Sequence, residues 1–397
     1  MMEMKSVIAL SAALAVIAST LILPLLAPLV REMGLSSTQG GLMLSIGSVA
    51  MVLAAPIWGR ISERFGRRVV IVAGFLGILL GYLLFAFAAE VGLSGQIAGP
   101  ALFAALTASR VTMGLFLLAV PVGAQALMAD VTPPEERAAG MALIGAATGA
   151  GMIVGPALSG FLVGFGLTWP LFSAAVLCAL GAFVGWFALR DHVHVQVKNR
   201  SNAGRSGRSL WPWLVAGVVL WTMIATIQIC GGFWFKDKLG LPAPTAAQLI
   251  SAALAIVGAA MFAAQILQLK VSLLSPRFLV VSGAAMMILG NLTLLATAEA
   301  SWFLLAYGCM GLGAGWLMPG IMGGASLAVD ADTQGAAAGL VASTQGIGFI
   351  IGPVLSTALY DAEAALPFLV MSVVLAICAL FFTLRRAAGV APGTAGS

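Results

Sequence analysis

Charge is what this sequence has least of. Only 8% of its 397 residues are Asp, Glu, Lys or Arg, while 61% are hydrophobic, and the mean hydropathy is +1.08. A soluble domain carries roughly a quarter charged residues, so a water-facing surface is excluded and lipid must solvate most of the chain. Cysteine is scarce as well. Cys178, Cys230, Cys309 and Cys378 each sit inside an apolar stretch, with no spacing suited to a zinc site or a tight disulfide. They read as small buried hydrophobes. The two histidines, His192 and His194, fall in a polar segment without partner ligands. No phosphate-binding loop, nucleophile–base pair or metal cluster appears, which argues against an enzyme, a resident metal or cofactor, and pumping driven by ATP. The net charge of +5 does not form a basic face, because the cations lie between apolar runs, and nucleic acid is not an expected partner.

What is abundant is long apolar runs. A membrane-spanning helix needs about 20 mostly apolar residues. Runs of that kind predict helices near 7–30, 40–60, 68–89, 104–129, 138–162, 168–189, 212–234, 246–269, 277–298, 301–328, 336–360 and 366–384. The first run follows Lys5 like a signal peptide, but it is longer than a signal core and has no clean small-x-small cleavage site. It reads as the first span. The 48 glycines suit helices that pack through small residues.

The most polar internal segment carries Arg190, Lys198, Arg200, Arg205 and Arg208 among Ser, Asn and Gly, as a flexible linker would. The expected organisation is an N-terminal six-helix bundle over 1–190, a basic linker over 191–210 and a C-terminal bundle over 211–397. With the N-terminus placed in the cytoplasm, fifteen Lys and Arg fall on the cytoplasmic side and three on the outer side. The positive-inside rule therefore predicts cytoplasmic termini in a bacterial-type inner membrane. The halves also repeat. Gly151-x-x-x-Gly155-Pro156 recurs 197 residues later as Gly348-x-x-x-Gly352-Pro353, and the same offset carries Arg110 and Gly114 onto Tyr307 and Gly311. Such repeats place a substrate site between halves near the bilayer midplane.

Three motifs fall in order along the first half. The loop after the second helix reads Gly59-Arg60-Ile61-Ser62-Glu63-Arg64-Phe65-Gly66-Arg67-Arg68. The fourth helix holds Arg110-x-x-x-Gly114, then Pro121 and Asp130. The fifth holds Gly151-x-x-x-Gly155-Pro156-x-x-x-Gly160. Together they resemble the major facilitator superfamily, and the fifth-helix motif resembles its drug/proton antiporter branch. Glu63 stands where the family's loop usually has Asp. The resemblance implies an all-α membrane fold of twelve helices in two pseudo-symmetric six-helix bundles. It also implies a gating set of Gly59, Glu63, Arg64, Gly66, Arg67 and Asp130, with the charges forming a cluster that latches the outward-open state. Gly151, Gly155, Pro156, Gly352 and Pro353 are expected to let the fifth and eleventh helices pack tightly where the halves meet.

Arg110 is the one charge placed within a helix interior, where a charge is costly and usually faces a cavity or a partner. Helices one, four, seven and ten are expected to line the cavity, by the same resemblance. The candidate substrate residues are Thr20, Pro24, Arg110, Met113, Trp221, Gln228, Tyr307 and Trp316. No carboxylate lies mid-membrane in the first half, so the candidate proton sites are Glu32 and Asp237 at the outer helix ends. The expected function is export of a small amphiphilic organic molecule, drug-like or an endogenous metabolite such as a siderophore, exchanged for protons by a monomer in the bilayer. The alternative is an importer of a carboxylate-bearing nutrient held by Arg110.

Overall fold

The computed structural model describes residues 2–133, 136–190, 210–270, 274–330 and 333–388. Among them stand twelve helices long and apolar enough to cross a membrane. They are α1 (Met4–Glu32), α2 (Ser37–Phe65), α3 (Arg67–Leu93), α4 (Gly99–Val131), α5 (Ala139–Phe165), α6 (Trp169–Ala188), α7 (Trp211–Leu239), α8 (Ala243–Gln268), α9 (Pro276–Ala296), α10 (Ala300–Leu327), α11 (Ala336–Ala362) and α12 (Leu366–Leu384). Large apolar side chains stand exposed around the outside, Phe161 at 66% and Phe187 at 69% among them. A contiguous apolar exterior of this kind calls for hydrocarbon as its solvent.

Local chemistry sets the breaks between helices. Ser36 caps α2 by accepting the Gln39 N–H, while the Gln39 side chain accepts the Ser36 N–H, a capping box. A single residue, Gly66, separates α2 from α3 with φ of 97°, a backbone setting natural only to glycine. Within α1 a 3-10 turn at Leu23–Leu25 contains Pro24, which explains the local tightening. In α4 the helix is interrupted at Leu118, where Pro121 cannot donate to the Leu117 carbonyl.

The first six helices and the last six each pack through glycines. In the first half a Cβ on Gly114 of α4 would collide with the Gly47 carbonyl of α2. In the second, a Cβ on Gly311 of α10 would lie 2.6 Å from the Val257 carbonyl of α8. The repeat seen in the sequence therefore corresponds to a repeated packing contact. The fifth and eleventh helices do pack where the halves meet, but not through the glycines expected. Gly151 and Gly155 seat α5 on α1, against Val16 and Thr20, and Gly348 and Gly352 seat α11 on α7, against Trp221 and Ala225. These glycines close seams within each half and are not the contact between halves. The halves meet instead along α2 with α11 and α5 with α8. Gly41 lies against Thr357 and the Pro353 carbonyl, and Gly160 against Ser251.

That meeting runs from one end of the bundle to about mid-height, where Gly346 of α11 lies against Val52 of α2 and Gly258 of α8 against Met152 of α5. Gly41, Gly160 and Gly232 (its Cβ position 2.7 Å from Ala27) lie towards the end opposite the chain termini. Gly59, Gly145 and Gly339, on α2, α5 and α11 near the terminal end, have open space where a Cβ would project. Gly59, expected in the gating set, faces nothing here. The two halves form a V, closed at the far end and parted at the terminal end.

Candidate functional site

Between the arms of the V lies a cavity of about 400 Å³. Its walls come from α1, α2, α4 and α5 of the first half and α7, α8 and α11 of the second, with Tyr82 of α3 reaching in. Most of the surface is apolar, as small-molecule sites usually are, with a few polar groups to fix orientation. Those groups are Ser19, Thr20, Ser48, Arg110, Thr148 and the amides Gln125, Gln228 and Gln345. No Asp or Glu stands among the lining residues.

Arg110 is the dominant charge in this space. Its Nη1 approaches Met113 Sδ at 3.8 Å, and sulfur is a weak acceptor. Its buried Nε has no hydrogen-bond partner. A guanidinium normally seeks a carboxylate or phosphate for its rigid fork of donors, so this site presents an unsatisfied cation to whatever enters. Nearby, the Tyr82 hydroxyl donates to the Ala18 carbonyl, tying α3 to α1 beside the cavity.

Of the residues expected to touch substrate, Thr20, Arg110, Met113, Trp221 and Gln228 line the cavity. Three lie elsewhere. Pro24 is buried in the 3-10 turn of α1. Tyr307 is fully buried, its hydroxyl donating 2.9 Å to the Ile227 carbonyl in the space that Gly231 leaves free. Trp316 is half-buried, away from the lining. No α10 residue reaches the cavity, because α10 is held against α8 and α9 by Gly311, Gly313 and Gly315. Pro156 and Pro353 both line the cavity, and α2, α5, α8 and α11 contribute walls that the sequence did not single out.

The expected latch is only partly assembled. Arg67 Nε bonds Asp130 Oδ2 at 3.2 Å and Arg67 Nη1 donates to Ser62, joining α2, α3 and α4. Glu63 and Arg64 are exposed, Arg64 lying over the ring of its neighbour Phe65. At the opposite end a different charge set crosses between halves. Arg31 of α1 pairs with Asp237 of α7 at 2.9 Å, and Glu32 of α1 pairs with Lys236 of α7 at 2.5 Å. Arg31 also stacks over Phe233 at 5.0 Å, and Asp237 accepts the Tyr360 hydroxyl. The Thr38 hydroxyl and N–H of α2 both donate to Asp361 of α11. Glu32 and Asp237, proposed from sequence as proton sites, are thus held in cross-half ion pairs at the rim, outside the cavity lining. Residues 191–209 of the linker, with His192 and His194, lie outside the described residues.

Comparison with known proteins follows the same lines. A family model described as Major Facilitator Superfamily matches residues 8–273 and 271–396. The chain is 28% identical to the class C tetracycline resistance protein of Escherichia coli over 366 residues, 87% of this chain and 86% of that one. It is 25% identical to multidrug resistance protein 1 of Bacillus subtilis (strain 168), over 90% of each chain. Among solved structures, the nucleoside transporter NupG aligns with a TM-score of 0.79 at 12% identity, over 96% of this chain and 99% of that one. A bacterial homolog of the human lysosomal transporter Spinster, inward-facing and occupied, aligns with a TM-score of 0.76 at 15% identity, over 96% of each chain.

Proposed function

The chain belongs to the major facilitator superfamily, and from that premise we propose that it exports a small amphiphilic organic molecule across a bacterial-type inner membrane by alternating access. The observation that carries the reading is the cavity between the halves, apolar-walled and closed at one end only. Relatives of similar length are named for tetracycline and multidrug resistance, which supports efflux of a drug-like compound or of an endogenous metabolite such as a siderophore. With both termini in the cytoplasm, as the distribution of Lys and Arg supports, the open end faces the cytoplasm and this is an inward-open state. Substrate would enter from the inside, and separation of the rim ion pairs would release it outside.

Proton exchange is the coupling we propose, acting in a monomer. The cavity lining holds no carboxylate, so the titrating groups would be the rim acids Glu32 and Asp237, freed when the halves part at that end. The latch would complete at the opposite end in the outward-open state, as Glu63 and Arg64 come near the second half. Two six-helix units, 1–190 and 211–397, would move as bodies about the 191–210 linker.

The unpartnered Arg110 favours one second reading, import of a carboxylate-bearing nutrient. Both are tested in proteoliposomes with an imposed pH gradient, comparing the parent chain with Arg110→Ala. Gradient-driven efflux of dyes or candidate metabolites that the substitution reduces at least tenfold is expected. Movement indifferent to gradient and substitution contradicts the exporter, and gradient-driven accumulation of carboxylates in the import direction favours the second reading.

A further inference from the structure

A second, smaller cavity of about 150 Å³ opens among α7, α10 and α11. Its walls include Gly217, Leu220, Met318, Ile321 and Val341 and are mostly apolar, with Thr344 and Gln345 as their polar side chains. Trp221 and Gln345 line this pocket and the central cavity alike, so the two spaces share a wall. The Trp221 ring rests on Phe349 at 5.7 Å and forms the partition. Arg110 lies twenty-one residues back from Val131, the terminal end of α4, or about 30 Å along the axis. Gly217 lies six residues into α7 from the same end, about 9 Å. A ligand reaching both would be elongated, charged at one end and apolar at the other.

We propose that the cavity and the side pocket form one bipartite site for an amphiphile with a single anionic head group and an unbranched apolar tail. Arg110 takes the head, and the tail passes Trp221 into the pocket between α10 and α11. The head is anionic because the cavity offers an unpaired guanidinium and no carboxylate. A cationic ligand would meet repulsion with nothing to offset it. The tail is apolar because the pocket wall is mostly apolar, and the shared Trp221 wall, which a turn of that side chain would open to the central cavity, makes the ligand's own tail the occupant. This inference rests on the transporter reading for its biological use but not for its binding test.

The test is binding to the full chain in lipid nanodiscs, with affinities referred to free aqueous ligand. The probes are octanoate, dodecanoate and hexadecanoate, with the matching alkanols and alkylammonium ions. Each methylene that reaches an apolar wall should strengthen binding roughly fourfold, so affinity should climb steeply along the carboxylate series. Ala342→Trp and Met322→Trp, placed at half-open edges of the pocket on α11 and α10, should each flatten that climb at least tenfold at hexadecanoate. Arg110→Gln should weaken every carboxylate at least tenfold while preserving the climb, and Arg110→Lys should restore part of the loss. An undiminished climb in both tryptophan variants would overturn the proposal, because a bilayer acyl chain and not the ligand would then fill the pocket. Alkylammonium binding as tight as carboxylate binding would overturn it too. The expected binding pattern without vesicle transport contradicts the transporter reading alone, and transport without the pattern contradicts this inference alone.

Discussion

Gly41 and Gly59 sit on the same helix five turns apart, and they meet opposite surroundings. At Gly41 a Cβ would strike Thr357 and the Pro353 carbonyl of the other half; at Gly59 it would project into open space. Charges divide the same way. At the far end Arg31–Asp237 and Glu32–Lys236 run between α1 and α7, each helix offering a cation followed by an acid so that the two pairs cross. At the terminal end Lys5–Glu136 and Arg67–Asp130 each join helices of the first half. The far end is held shut by close backbone approach plus ion pairs across the divide, while these two terminal-end pairs lie within the first half. A transporter that must close either end in turn needs contacts of this modest kind. Partly exposed ion pairs contribute about 0.2–1 kcal/mol each, enough to bias two states separated by a few kcal/mol without locking them.

The largest effect that would break this comparison is steric. Gly41→Leu should force the halves apart at the closed end, lowering stability by about 1–3 kcal/mol as overpacking does. Gly59→Leu should change thermal stability by less than about 0.5 kcal/mol yet slow transport, because its end must close later in the cycle. Equal melting shifts for the two variants would contradict a closed far end. Next comes the rim clamp. Arg31→Ala or Asp237→Ala should each shift the balance towards far-end opening, by up to about fivefold. The double variant should do no more than either alone if the two residues act through each other, and additive effects would dissolve the pair. Raising salt should mimic the single variants in part, since these groups are half exposed. The smallest effect belongs to Lys5→Ala. It breaks a pair inside one half, so the state balance should stay within about twofold while stability changes by less than about 0.5 kcal/mol.

The twelve helices were legible because hydropathy is a one-dimensional signal. Their ends were less so: α2 runs on to Phe65, past the expected 60, since Arg60, Glu63 and Arg64 extend a helix into water as readily as an apolar residue extends it into lipid. Arg110 was legible as a cavity residue because a charge in a membrane helix has few other places to point. Which apolar helix face meets the cavity was not legible, because lipid and protein interior ask for the same side chains. Tyr307 shows the difficulty. The repeat aligned it with Arg110, but the Gly231 gap turned it to the Ile227 carbonyl instead. Tyr82 was missed although the chain has only three tyrosines; a lone phenol in an apolar helix must find an acceptor, and here that acceptor, Ala18, lies beside the cavity. The fifth and eleventh helices meet the other half as expected, through Gly160 and Pro353, but Gly151, Gly155 and Gly352 close seams within each half, because glycine spacing reports close packing without naming the partner helix.

The account turns on two ends that open in alternation, and distances between spin labels measure that directly. In a chain with its four native cysteines replaced, Ser94→Cys with Glu299→Cys reports the far end, and Arg60→Cys with Ala338→Cys reports the terminal end. All four positions are exposed. Under conditions that drive transport, the far-end distance should lengthen as the terminal-end distance shortens. If both distances stay fixed, or both change in the same direction, the two ends do not alternate and the account fails.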